Sequence, residues 1–154
     1  MTDHMQRAAA LALEKMRANS GGPFGAVITR EGEMIAEGWN EVTSTNDPTA
    51  HAEIVAIRRA CAALGTFRLD SCEIFSNCEP CPMCLGAIYW ARLRRIHYIH
   101  TREDAARIGF DDDFIYREIG MPPNERSIPA VRVDPPEANT AFAEWMSKPD
   151  KILY

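Results

Sequence analysis

No apolar run in the sequence approaches the roughly 18 residues that a membrane-spanning helix needs. Residues 1–20 carry Asp3, Glu14 and Lys15 and have no continuous apolar stretch, unlike a secretory signal. The expected location is therefore the cytoplasm. Positive charge is in deficit: 17 Lys and Arg stand against 22 Asp and Glu, a net charge of -5. That balance disfavours a nucleic-acid-binding domain, which usually shows a basic surface. No internal repeat, low-complexity tract or interdomain linker is visible. The 154 residues are expected to form one domain, 1–154, ending in a short tail, 149–154. With 46 % apolar and 25 % charged residues, the composition is that of a soluble fold. Such a chain needs no disulfide staples. Its five cysteines (Cys61, Cys72, Cys78, Cys81 and Cys84) are odd in number and cannot all pair. Without a secretory signal, their spacing points to metal or catalysis before disulfides.

Periodicity suggests the elements. Met5, Ala8, Ala12 and Met16 recur at helical spacing. Residues 25–30 and 34–39 read as strands joined by a tight turn at Glu31-Gly32. Residues 49–64 form the clearest helix, with Thr49 or Asp47 as candidate cap and Gly65 as its stop. Residues 72–76 suit a buried strand, 82–92 a helix with proline in its first turn, and 95–100 a strand. Residues 101–119 look helical in two pieces, broken at Gly109. Pro122, Pro123 and Pro129 force a loop, after which residues 130–133 read as a short edge strand. Pro136 is expected to start a last helix with Ala138, Phe142 and Trp145 inward. The pattern predicts an α/β fold, a three-layer α/β/α arrangement around a mixed five-stranded sheet.

His51-Ala52-Glu53 and Pro80-Cys81-Pro82-Met83-Cys84 together spell H-x-E … P-C-x-x-C, the signature of zinc nucleobase deaminases. The chemistry can be followed residue by residue. Cys81 and Cys84, three apart at a helix start, share a face. Orphan N–H groups and the positive helix end favour thiolate there. His51 and Glu53, in the first turn of the earlier helix, can both reach a point beyond its end. A Cys₂His set leaves a fourth position for water, the mark of a catalytic zinc. Zinc lowers the pKa of that water toward 7, so hydroxide attack is the expected chemistry, with Glu53 as proton shuttle. Two other readings compete. A Cys-Pro-x-Cys between strand and helix resembles a redox pair but leaves His51 and Glu53 without a task. The Cys78, Cys81, Cys84 spacing begins a ferredoxin-type run, whose fourth cysteine falls on Ile88. Cys61, Cys72 and Cys78 read as packing residues, and His4, His97 and His100 as structural or solvated.

At this point the chain resembles the cytidine deaminase-like superfamily, and within it the bacterial guanine deaminases. Residues 21–27 (GGPFGAV), 46–53 (NDPTAHAE), 78–91 (CEPCPMCLGAIYWA), 109–116 (GFDDDFIY) and the terminal Tyr154 carry the resemblance. It implies one zinc ion per subunit, a homodimer that in some members exchanges C-terminal segments, and hydrolysis of guanine to xanthine and ammonia in purine catabolism. It also implies that Asn40 recognises the base, that Asp112 (with Asp111 and Asp113 as rivals) faces the base edge, and that Tyr154 in the tail closes the active site. The chemistry agrees: guanine offers N1–H and an amine as donors, and an ionised Asp offers only acceptors. Asn40 can both donate and accept. Phe24 and Trp90 are candidate pocket walls, since a base stacked on an aromatic ring gains about 1–3 kcal/mol. The triple acid could equally be a solvated helix cap, Tyr154 a frayed end, and both rings core packing. A tRNA adenosine deaminase is the first rival. It would need a local basic patch such as Arg92, Arg94 and Arg95 with Arg58 and Arg59. Deamination of another nucleobase, a nucleoside or an aminotriazine is a second alternative, and a zinc or redox binding module without hydrolytic activity is a third.

Overall fold

In the computed structural model, which describes residues 2–134 and 140–154, the elements follow the order that periodicity suggests. They are α1 (Thr2–Arg17), β1 (Gly25–Arg30), β2 (Glu33–Trp39), α2 (Val42–Thr45), α3 (Ala52–Leu64), β3 (Cys72–Cys78), α4 (Pro82–Ala91), β4 (Arg95–His100), α5 (Arg102–Arg107), α6 (Asp113–Ile119) and α7 (Thr140–Ser147). The short α2 is the one element that periodicity misses. The chain divides into two compact units, Met1–Asp113 and Phe114–Tyr154.

The first unit holds the sheet, in the order β2-β1-β3-β4. β1 pairs antiparallel with both neighbours, and β3 pairs parallel with β4. A parallel pair needs a crossover, which α4 supplies. β1 is buried along nearly its whole length because side chains alternate across the sheet and both faces are covered. Val27 and Phe75 pack with Ala8 and Leu11 of α1 on one face. Ala26, Ile28 and Ile74 pack with Ala52 and Ala56 of α3 and Ile88 of α4 on the other. Helices thus cover both faces of a mixed sheet, as expected.

The strand count differs. Among the described residues the sheet has four strands, not five. Residues 130–134 are irregular, and Val131 and Val133 are each 77 % exposed. The Ala130 N–H is taken by Pro123 O at 2.8 Å, a bond that folds the segment back on its own loop. Pro129 offers no N–H to a ladder at all. In the second unit, Ser127 N–H and Oγ both donate to Glu118 Oε2, closing the loop after α6. On α7, Phe142 is 82 % exposed and Trp145 40 % exposed, so Phe142 does not face inward as expected. Pro136 and Ala138 lie outside the described residues. No helix among the described residues is long and apolar enough to cross a membrane.

One close approach positions the site. A Cβ on Gly38 of β2 would lie 2.2 Å from Ala52 O and 2.5 Å from Ala56 N. Only a hydrogen there lets the start of α3 rest directly on β2. Gly38→Ala is expected to destabilise the fold by about 1–3 kcal/mol through overpacking. A lowered urea midpoint at unchanged m-value checks this; an unchanged midpoint contradicts it.

Candidate metal centre

The ligand-bearing residues are the caps of two helices. His51 is the N-cap of α3 and Cys81 the N-cap of α4, both with extended backbone. His51 therefore precedes the first turn of α3 and does not lie within it as expected. The expected caps Thr49 and Asp47 form a turn ahead of the helix instead, with Asp47 Oδ1 accepting the Thr49 N–H at 2.8 Å. The His51 side chain makes no capping bond to its own helix and turns to Cys81 and Cys84 instead. Both N-cap side chains project beyond the helix ends, with Pro82 starting α4 where its missing N–H is harmless.

The three groups converge. His51 Nδ1 lies 3.6 Å from Cys81 Sγ and 3.5 Å from Cys84 Sγ, and all three ligand atoms lie within 4.8 Å of one another. Tetrahedral zinc with ordinary Zn–S and Zn–N bonds places a nitrogen and a sulfur about 3.6 Å apart. The trio therefore fits a tetrahedral zinc site with one position open, and two thiolates with an imidazole suit that metal.

Electrostatics agree with a ligand cluster. The Cys81 thiol is brought down to about 4, chiefly by the hydrogen bond from Cys84, against the opposing effect of burial. That bond and burial push Cys84 up. His51 is raised, first by its hydrogen bond with Cys81. The first thiolate thus falls on Cys81, and a divalent cation must displace the proton of Cys84.

Glu53, in the first turn of α3, is 6 % exposed. Its Oε1 accepts from Ser76 Oγ at 3.2 Å, and its Oε2 lies 3.4 Å from Cys84 Sγ. Burial holds its carboxyl above the usual carboxylate range. A carboxyl poised in this way beside the metal ligands, but outside the trio, is equipped to carry protons.

Asn40, 6 % exposed, follows β2. Its Oδ1 accepts two backbone N–H groups, Gly22 and Val42, each at 3.2 Å. Both acceptor directions are used, so only its NH₂ remains to offer. Gly21 is pressed against the same residue; a Cβ there would meet Asn40 O at 2.1 Å. Phe24 meets Phe110 edge-on, with ring centroids 4.8 Å apart. A cleft of about 410 Å³ lies beside these rings, lined by Pro23, Phe24, Asn77, Cys78, Asp104 and Ile108. None of His51, Glu53, Cys81, Cys84, Asn40 or Asp112 lines it.

Of the three acids, Asp112 is half-buried, while Asp111 and Asp113 are exposed. Burial raises the Asp112 carboxyl, and repulsion from Cys81 adds to the rise. Asp111 Oδ1 accepts the Asp113 N–H at 3.0 Å. The structure therefore brings His51, Glu53, Cys81 and Cys84 together and sets Asp112 within electrostatic reach of Cys81. It does not bring Trp90 there. Trp90 sits in the last turn of α4, 67 % exposed, about 13 Å along the axis from the Cys81 end. Tyr154 ends the second unit, 70 % exposed.

Two residues near the centre escape the sequence analysis: Ser76 and Phe110. Cys78 is buried, as its reading as a packing residue expects; it also lines the cleft and feels the charges of Glu53 and Asp112. Burial pushes its thiol up to about 11. The one signal for Ser76 is a polar residue in an otherwise apolar strand row.

Residues 1–100 match the cytidine and deoxycytidylate deaminase zinc-binding region. The chain belongs to this family of zinc deaminases. Within it, the chain is similar to the guanine deaminase of Bacillus subtilis: 53 % identical over 150 residues, spanning 97 % of this chain and 96 % of that one. The X-ray structure of that enzyme superposes with a TM-score of 0.96 at 52 % identity, covering 99 % of this chain and 98 % of the other. A tRNA-specific adenosine deaminase of Agrobacterium fabrum is 49 % identical over 76 residues, 49 % of this chain and 50 % of that one.

Proposed function

We propose that the protein hydrolyses guanine to xanthine and ammonia. The observation that carries this reading is the extent of similarity. Likeness to a guanine deaminase runs through 97 % of the chain, whereas the tRNA-specific adenosine deaminases match 48–57 % of it in sequence, and a structure from work on tRNA:A34 deaminases covers 66 % of it. The net charge of -5 agrees with a free base over a polyanion.

His51, Cys81 and Cys84 would hold the zinc, which would supply the Lewis acidity that makes water a nucleophile at neutral pH. Glu53 is the proton carrier. It accepts at Oε2 a proton from the water whose oxygen bonds to the amine-bearing ring carbon and passes that proton to a ring nitrogen; it then carries the second proton of that water to the amine, which leaves as ammonia when the C–N bond breaks. Asp112 accepts from N1–H and the amine. Asn40 donates its NH₂ to an acceptor of the purine, its orientation set by the Gly22 and Val42 amides. Phe24, with Phe110 at its edge, forms the apolar wall.

The tail, 149–154, with Tyr154 at its end, closes the pocket in this reading, in a homodimer that exchanges C-terminal segments. Exposed apolar groups support a subunit contact: Tyr89 and Trp90 on α4, and Ile128, Phe142 and Met146 in the second unit. All five cysteines are free thiols, which suits a cytoplasmic enzyme.

Ammonia release across free guanine, adenine, cytosine, guanosine, an aminotriazine and tRNA tests the reading. Guanine is expected to lead the panel, and activity on tRNA alone would sink the proposal. Asp112→Ala is expected to lower kcat/KM for guanine by about 10–100-fold, the worth of a hydrogen bond to a charged group, with zinc content unchanged. Equal turnover in variant and parent removes Asp112 from the site.

A further inference from the structure

Ser76 is a polar interruption in a buried row. β3 turns Cys72, Ile74, Ser76 and Cys78 to one face, and Ser76 is 1 % exposed. A buried hydroxyl is costly unless hydrogen-bonded. Its Oγ accepts the Cys78 backbone N–H at 3.4 Å. An N–H group can only donate, so the hydroxyl proton is directed to Glu53 Oε1, 3.2 Å away. The direction of that bond is set by chemistry.

The other carboxylate oxygen faces Cys84 Sγ at 3.4 Å. An S–H is a weak donor and an O–H a strong one, so Ser76 is the firmer side-chain anchor of the Glu53 carboxylate. It ties Oε1 to the strand and leaves Oε2 beside the ligands.

We infer that Ser76 is a positioning residue: its hydroxyl anchors Oε1 of Glu53 so that Oε2 is presented next to Cys84 for proton transfer. This rests on the role proposed for Glu53 and adds the group that orients it. The side-chain partners of Ser76 are Glu53 and the Cys78 amide, so it acts through Glu53. Its loss therefore acts on the chemical step and not on binding.

The test uses full-length, zinc-loaded Ser76→Ala and Ser76→Thr. Ser76→Ala is expected to keep its zinc and its KM for guanine while kcat falls about 10–100-fold, the scale on which a misplaced group acts. Ser76→Thr keeps the hydroxyl and is expected to recover most of the loss. Crystal structures of the two variants give a second reading: the Glu53 carboxylate turned in Ser76→Ala and native in Ser76→Thr. An unmoved carboxylate in Ser76→Ala, or an unchanged kcat, overturns the inference. Should the threonine methyl prevent folding, Ser76→Ala decides alone, by its structure and its kcat-against-KM split. Failure of the guanine reading looks different. The parent would release no ammonia from guanine, and the carboxylate position in Ser76→Ala would still decide the role of Ser76.

Discussion

Glu53→Gln is expected to keep zinc, fold and substrate binding and to lose about 10²–10⁴-fold in kcat, the usual worth of a positioned acid–base group. Glutamine has nearly the same shape. Its amide oxygen still accepts from Ser76, whose hydroxyl lies 3.2 Å from Oε1. What it cannot do is take up and release a proton. Burial opposes ionisation of the native carboxyl, so a neutral isostere relieves that opposition. The variant should accordingly melt no lower than the parent. Metal stoichiometry, thermal unfolding and ammonia release on one preparation separate the effects. A variant that holds zinc and turns over at the parent rate would remove Glu53 from proton transfer. A variant that loses zinc would make Glu53 a ligand, against the grouping of His51, Cys81 and Cys84 without it.

Cys81→Ser should lose zinc and stability together. A ligand must be deprotonated to bind, and metal binding to the folded state is coupled to folding. A serine hydroxyl does not ionise near neutrality, whereas the Cys81 thiol is held down at about 4. The substitution also removes the acceptor that orders Cys84 and His51, for which Cys81 is the first cause of the shift. A metal present at about a thousandfold over its Kd stabilises the folded state by about 4 kcal/mol, and that contribution is forfeited. The check is a pair of melting curves with and without chelator. The parent should fall on chelation, while Cys81→Ser should start low and not respond. Full zinc occupancy in the variant would contradict the ligand assignment.

Much of the site is legible before folding. H-x-E and P-C-x-x-C carry their own spacing logic, because two cysteines three apart at a helix start share a face whatever the rest of the chain does. The element order through β4 is legible for the same reason: helical and strand periods are local properties. Legibility fades where an outcome depends on distant partners. Asn40 reads as a donor and an acceptor, but that the Gly22 and Val42 amides take its oxygen is visible only once the chain is folded. Trp90 reads as a candidate wall for stacking a base, and only the fold shows that it stands in the last turn of α4, 67 % exposed. Residues 130–133 have strand-like alternation, yet a strand needs a partner with free N–H and C=O groups. There the Ala130 N–H goes to Pro123 O, and Pro129 has none to give.

By itself, then, the sequence marked out the family, the His51, Cys81 and Cys84 group that could hold a metal ion, the Glu53 proposed to carry the proton, and the helices and strands that bear them. These rest on short-range spacing, which side-chain chemistry and the two backbone periods define locally. Only the tertiary structure decided the strand order β2-β1-β3-β4 and the 3.5 Å approach of His51 to Cys84, 33 residues apart in the chain. It also decided the donor-only face of Asn40, the half-burial of Asp112 and the hydroxyl that holds Glu53. Each of these is a contact between segments whose sequences carry no mark of one another. Such contacts form because packing Ala52 and Ala56 of α3 against Gly38 and the sheet leaves the ends of α3 and α4 facing a common point.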